Sequence, residues 1–329
     1  MAFPGAALPR RETLVGACVT TSPRTRGART LRTALTATVL LLAAATACGG
    51  GSGRPSGADG PKPQHDTFIG YFSPEDQSTI GTGMIISLRF DHGITDRAAV
   101  ERGITVTSAP ARAVVGHWFS DHRLDLRPAD FWPAGARITL SLRLRGVQGA
   151  PHTYGTQSKD VTFTVGRDQR STVDAVEHTM TVVRGGHVLR VLPVTVGSPE
   201  HTTYNGVMVI ADKYLQTRMN GRTVGFGGEY DIPDVPHALR LTTSGTFVHG
   251  NYWSPPQIFG EENVSHGCIG LQDRKGGGRD TPAGWFFENS MIGDAVRVVN
   301  SDDRTVDPDN GLSGWNLTWD QWRTGSALQ

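Results

Sequence analysis

Residues 245–273 read GTFVHGNYWSPPQIFGEENVSHGCIGLQD, and the rest of the chain is organised around them. The window holds His249 and the run Ser265-His266-Gly267-Cys268. A thiol attacks carbonyl carbon as the thiolate, and an imidazole is the usual base that produces one. Cys268 follows His266 by two positions and His249 by nineteen, so a strand–loop–strand return can bring His249 beside it. Gly250 and Gly267 leave the backbone free to approach a substrate and to aim amide N–H groups at a developing oxyanion. A buried structural cysteine with two surface histidines is the alternative reading of the same residues.

The block resembles the active-site signature of the L,D-transpeptidases (YkuD-type catalytic domain), an upstream His followed by Ser-His-Gly-Cys. That resemblance implies Cys268 as nucleophile, His249 as its base, and the Gly250 carbonyl as the group orienting the base. It implies Ser265, His266, Gly267 and Gly270 as oxyanion and substrate-binding positions, with the Gly267 and Cys268 amides facing the oxyanion. One departure stands out. Many members carry Arg two residues after the cysteine and an actinobacterial branch carries Asn, whereas this chain has Gly270. A side-chain donor beside the nucleophile is therefore absent.

A chain of 329 residues has room for two ordinary domains plus tails. Its net charge of +1 gives no reason to expect nucleic acid. The three cysteines are Cys18, Cys48 and Cys268. An exported chain normally pairs its thiols, so Cys268, standing alone after the leader, is a candidate free reactive thiol. A Cys48–Cys268 disulfide is the competing possibility. No metal or cofactor is expected, because a zinc set of His249, His266 and Cys268 lacks a fourth ligand at closed-site spacing.

Taken in order, residues 1–48 read as a leader. Residues 34–47 are uncharged, too short to span a bilayer comfortably and suited to a signal-peptide core. Ala45-Thr46-Ala47-Cys48 resembles a bacterial lipobox, which implies lipidation at Cys48 and a place on the outer face of the membrane. Cleavage after Ala47 with plain secretion is the alternative. Residues 49–65 form a Gly/Pro/Ser tether that cannot bury a core.

Residues 66–167 alternate with period two in several short runs: Met84, Ile86, Leu88 and Phe90; Ile138, Leu140, Leu142 and Leu144; Val161, Phe163 and Val165. The pattern predicts a β-sandwich. Its Phe131-Trp132-Pro133-Ala134-Gly135 segment resembles the immunoglobulin-like domain that precedes the catalytic domain in actinobacterial L,D-transpeptidases. Residues 168–299 are expected to form the catalytic domain. A hairpin is predicted over 180–194 with Gly185-Gly186 at its turn, and a short helix starts with Thr281 as N-cap and Pro282 at N1. The polar, Gly-rich insert around 215–236, tipped by Phe226 and Tyr230, lies where the family has a mobile lid, and a disordered surface loop is the alternative reading of its composition. Residues 300–329 carry Trp315, Trp319 and Trp322, a density that predicts burial, expected here against the catalytic domain.

The fold class is thus mainly β: an immunoglobulin-like sandwich followed by an L,D-transpeptidase catalytic β-sandwich domain with one or two short helices. The resemblance implies acyl transfer on peptidoglycan, with tetrapeptide stems as donor and acceptor and release of D-Ala. The product would be a 3→3 cross-link, and β-lactams of the carbapenem class would be inhibitors. Contact with the membrane is expected only through the lipid anchor. An L,D-carboxypeptidase or thiol endopeptidase, with water as acceptor, is the alternative; a decayed wall-binding protein is a further one.

Overall fold

Alternation along single strands builds the first domain. In the computed structural model, residues 65–329 are described; the leader, most of the tether, Cys18, and the lipidation expected at Cys48 lie outside them. Two four-stranded sheets form the sandwich. One runs Thr79–Ile80, Ser158–Val165, Arg137–Arg143, Ile104–Ala109; the other runs Gly70–Ser73, Ile86–Phe90, Arg123–Pro128, Val114–Ser120. Successive side chains of a strand face opposite ways. Ile138, Leu140 and Leu142 therefore meet Leu88, Leu124 and Leu126 in one buried core. Trp132 closes that core and donates its indole N–H to the Met84 carbonyl at 2.8 Å.

The second domain is a nine-stranded sheet in the order Gly206–Val209, Ala295–Val299, Gln169–Asp174, Thr179–Arg184, His187–Thr195, Ile269–Gln272, Phe247–Asn251, Asp231–Arg240, Asp212–Asn220. The expected hairpin is present, with Gly185 and Gly186 both at positive φ in the turn. Val194, Val248, Ile269 and Leu271 point to one face and pack with Phe286. Phe286 belongs to the helix Pro282–Asn289, which begins as predicted: Thr281 Oγ1 accepts from the Gly284 N–H and Pro282 occupies the first turn.

The insert expected to be a lid is largely strand. Asp212–Asn220 and Asp231–Arg240 pair from Asp212 with Arg240 out to Asn220 with Asp231, so only residues 221–230 form the tip. Met219, Val235 and Ala238 hold the hairpin down by packing with Phe247. Its polar composition reflects an outer face, where Leu215 is 71% exposed.

The tail corrects an expectation in part. Val306 packs in the core of the catalytic domain as expected, but Trp315, Trp319 and Trp322 pack on the outer face of the sandwich sheet that carries His117 and Arg127. Their host is Arg127, a cation on the face of its strand opposite Leu124 and Leu126 that is buried only because the tail covers it, and that needs a low-polarity partner with a negative face. Its guanidinium lies 4.6, 5.5 and 4.4 Å from the Trp315, Trp319 and Trp322 ring centres. Burial pulls its pKa down to about 10. Trp322 Nε1 donates to the Val115 carbonyl at 2.9 Å and Trp315 Nε1 to that of Gly83 at 2.7 Å. Asn316 reaches the other way, exchanging hydrogen bonds of 2.8 and 2.9 Å with the Val207 backbone of the catalytic sheet. The tail is thus a strap from one domain to the other. Trp322→Ala is expected to destabilise the protein by about 3–5 kcal/mol, read from chemical unfolding; an unchanged midpoint would contradict this packing.

Candidate active site

The face of the catalytic sheet opposite Val248 and Ile269 carries the chemistry. Phe247–Asn251 and Ile269–Gln272 are parallel neighbours, with Val248 opposite Ile269 and His249 opposite Gly270. Residues two apart share a face, so Phe247, His249 and Asn251 project to the same side as Gly270. Cys268 immediately precedes the second strand, and the Phe247 N–H donates to its Sγ at 3.2 Å. The nineteen-residue spacing in sequence becomes a step between adjacent strands.

His249 is buried, and its Nδ1 lies 3.0 Å from the Gly250 carbonyl. A carbonyl only accepts, so Nδ1 carries the proton and Nε2 presents its lone pair. That Nε2 is buried and has no hydrogen-bond partner among the described residues. Burial pushes the His249 pKa down to about 4, opposed by the Gly250 carbonyl and by the charge of Asp273. The imidazole is therefore neutral and basic across the physiological range.

The turn before Cys268 is braced internally. Ser265 Oγ donates to the Cys268 carbonyl at 2.6 Å and accepts from the Gly267 N–H at 3.2 Å. The Gly267 amide, expected to face the oxyanion, is here directed at the serine hydroxyl. Gly267 itself needs to be glycine, with φ of 102°.

Gly270 is buried within the sheet, with an ordinary strand φ. A Cβ there would meet Thr195 Cγ2 at 2.9 Å and Asn251 Nδ2 at 3.5 Å. The space an Asn or Arg would enter is filled from the two flanking strands.

Cys268 was expected as a free thiol; in this structure it is disulfide-bonded, and Cys18 and Cys48 both lie outside the described residues. Nucleophilic chemistry belongs to the reduced form.

Four residues of the site were not singled out from the sequence. Asp273 is fully enclosed, accepting from Thr281 Oγ1 at 2.9 Å and pairing with His237 Nδ1 at 2.7 Å. Its Oδ2 sits where a Cβ on Gly250 would be, 2.2 Å away. Gly250 is glycine so that this carboxylate can stand behind His249. His237 takes up its position at φ of 48° in the middle of its strand. His201 and Glu229 meet His266 at the hairpin tip, where Phe226 and Tyr230 also pack on the His266 ring at 5.2 Å each. A cavity of about 320 Å³ opens between His201, Phe226, Thr246, His266 and Gly267. The only sequence signal for Asp273 was its position five residues beyond Cys268.

A thiol, a neutral imidazole on the same sheet face and an amide donor to sulfur make a constellation suited to thiol-dependent acyl transfer. The bacterial Ig domain family matches residues 60–148, and the L,D-transpeptidase catalytic domain family matches residues 168–299. L,D-transpeptidase 2 of Mycobacterium tuberculosis is 31% identical over 292 residues, covering 87% of this chain and 69% of the relative. L,D-transpeptidase 1 of the same species is 30% identical over 236 residues, 70% of this chain and 84% of the relative. Among solved structures, L,D-transpeptidase LdtMt1 in complex with imipenem superposes with a TM-score of 0.59 at 28% identity, covering 72% of this chain and all of that one. An L,D-transpeptidase 3 from M. tuberculosis in complex with a faropenem-derived adduct gives 0.55 at 28%, covering 70% of this chain and 97% of that one. The chain belongs to the L,D-transpeptidase family.

Proposed function

We propose that this chain is a peptidoglycan L,D-transpeptidase that forms 3→3 cross-links through a thioester on Cys268. The observation that carries the reading is the placement of His249 and Cys268 on one face of adjacent parallel strands, in a chain of this family. His249 Nε2 takes the Cys268 proton. The thiolate then attacks the carbonyl joining the donor stem to its terminal D-Ala. The C–N bond breaks, and His249 returns the proton to the leaving D-Ala amine. An amine on the side chain of a neighbouring stem next attacks the thioester, giving its proton to His249 as the thiolate departs. With Gly267 engaged by Ser265, the Cys268 amide is left as the backbone donor to the oxyanion.

The solved relatives bound to imipenem or carrying a faropenem-derived adduct support β-lactams as ligands of the same sulfur here. Mass spectrometry of the reduced protein with a disaccharide-tetrapeptide tests the function. Loss of D-Ala with dimer formation is expected; loss of D-Ala with no dimer would make the protein a carboxypeptidase.

Lipidation at Cys48 is part of the same proposal, supported by the apolar run 34–47 ahead of Ala45-Thr46-Ala47-Cys48. It would hold the enzyme at the outer face of the membrane, with the tether giving reach into the wall. An unmodified N-terminus just downstream of Ala47 would instead mean secretion.

A further inference from the structure

The hairpin tip gathers a second set of reactive side chains that the acyl-transfer steps do not use. Glu229 comes from the tip, His201 from the segment after the strand His187–Thr195, and His266 from the loop ahead of Cys268. Glu229 Oε2 lies 2.6 Å from His266 Nε2 and 3.7 Å from His201 Nε2. The two imidazole rings stack, with centroids 4.4 Å apart and planes within 13°. One ligand atom from each of the three residues lies within 4.8 Å of the other two. His266 is nearly enclosed, and its Nδ1 is buried without a partner among the described residues. The Glu229 carboxylate therefore holds the proton on Nε2, and Nδ1 is left with no acceptor or donor among the described residues.

We propose that His201, Glu229 and His266 form a divalent-cation site, suited to Zn²⁺, that ties the hairpin tip to the loop bearing Cys268. His249, His266 and Cys268 lack a fourth zinc ligand, and folding brings His266 to a different pair, His201 and Glu229. Two imidazoles and one carboxylate are a borderline N/O donor set that zinc favours, with the fourth position left to water. Ligands at about 2.0–2.1 Å in a tetrahedron stand about 3.3 Å from one another. The Glu229–His266 contact has to open by under about 1 Å and the His201–Glu229 contact has to close slightly. The more exposed His201 ring has to turn out of its stack on His266 so that both lone pairs meet at the ion. Glu229 has the freedom to do this, since its side chain is 51% exposed at the end of a hairpin. Ligation through Nε2 requires the His266 proton to move to Nδ1, which frees the Glu229 carboxylate to face the ion.

Without the ion, the Glu229–His266 hydrogen bond and the packing of Phe226 and Tyr230 on His266 link tip and loop at this point. With it, three separate segments are cross-linked beside Gly267, at the wall of the cavity that adjoins the nucleophile. The cation should therefore slow acylation of Cys268. That consequence rests on the function proposed above, while binding of the cation does not.

Titration calorimetry of Zn²⁺ into the reduced full chain, with Co²⁺ absorption as a second reporter, tests both parts. One ion per chain is expected, and the Co²⁺ spectrum should lack the charge-transfer band of a thiolate ligand. Affinity should survive Cys268→Ser and fall at least tenfold in His201→Gln and in Glu229→Gln. Circular dichroism should show all three variants folded. Absence of binding, equal affinity in the His201 and Glu229 variants, or loss of binding in Cys268→Ser would each overturn the site. Saturating Zn²⁺ should slow carbapenem acylation several-fold in the wild type and leave Glu229→Gln unaffected. Binding with no slowing would overturn the gating role.

Discussion

After reduction, Cys268→Ser is expected to form no covalent carbapenem adduct and no cross-linked dimer from a disaccharide-tetrapeptide. A seryl hydroxyl is far less acidic than a thiol. His249, whose pKa is held down near 4, is too weak a base to keep such a hydroxyl ionised. The Phe247 N–H that donates to Sγ at 3.2 Å stabilises a thiolate, and a thiolate exists in useful amount only with sulfur. Removing a nucleophile of this kind costs on the order of 10³-fold or more in rate. The substitution should leave folding intact, because it exchanges one small buried side chain for another. Turnover within tenfold of wild type would remove Cys268 from the nucleophile's role and the thioester from the mechanism.

Much of this architecture is local in origin and so could be read along the chain. Ile138, Leu140 and Leu142 alternate because one sheet face is buried, and that is a property of seven consecutive residues. Thr281-Pro282 starts its helix through contacts within three residues. His249 and Cys268 could be paired because their motif resembles a known signature, not because spacing alone forces them together. The failures have one cause: each depends on a partner distant in sequence. The tryptophans of the tail were rightly expected to be buried, but their host, Arg127, lies about 190 residues earlier. The Gly267 amide was a reasonable oxyanion donor until the rotamer of Ser265 was known. Gly270 invites a missing side chain until Thr195 and Asn251 are seen closing on it. The insert 215–236 could be read as loop because one face is polar, and its buried residues, Met219 in one strand and the run starting at Val235 in the other, show no alternation.

His249→Ala is expected to leave the fold intact and to lower acylation of reduced Cys268 by on the order of 10²–10⁴, the usual worth of a positioned base. If His266→Ala proves crippling and His249→Ala stays active, the two histidines have been assigned the wrong way round. The environment of His249 also sets the pH dependence. Burial drives its pKa from the ordinary 6.5 to about 4, with the Gly250 carbonyl and Asp273 opposing. As a base it is competent above about pH 4, so acylation should decline on acidification through that value and not through 6.5. Stability follows the same group. Between about 6.5 and 4 the unfolded imidazole holds a proton that the folded one does not, so stability falls as pH drops across that window. The loss amounts to about 3 kcal/mol at 1.36 kcal/mol per pH unit, and His249→Gln should remove most of it. Asp273→Asn separates electrostatics from scaffolding. Asp273 touches no reacting atom and acts through His249, as a positioning residue. Its negative charge favours the imidazolium that forms during attack, and the Asn variant forfeits that help while keeping nearly the same volume. Acylation should drop by about tenfold, the equivalent of one pKa unit in the base, with the acid limb displaced to lower pH. A fall in melting temperature with no displacement of the limb would leave Asp273 as the anchor of His237 and Thr281 alone.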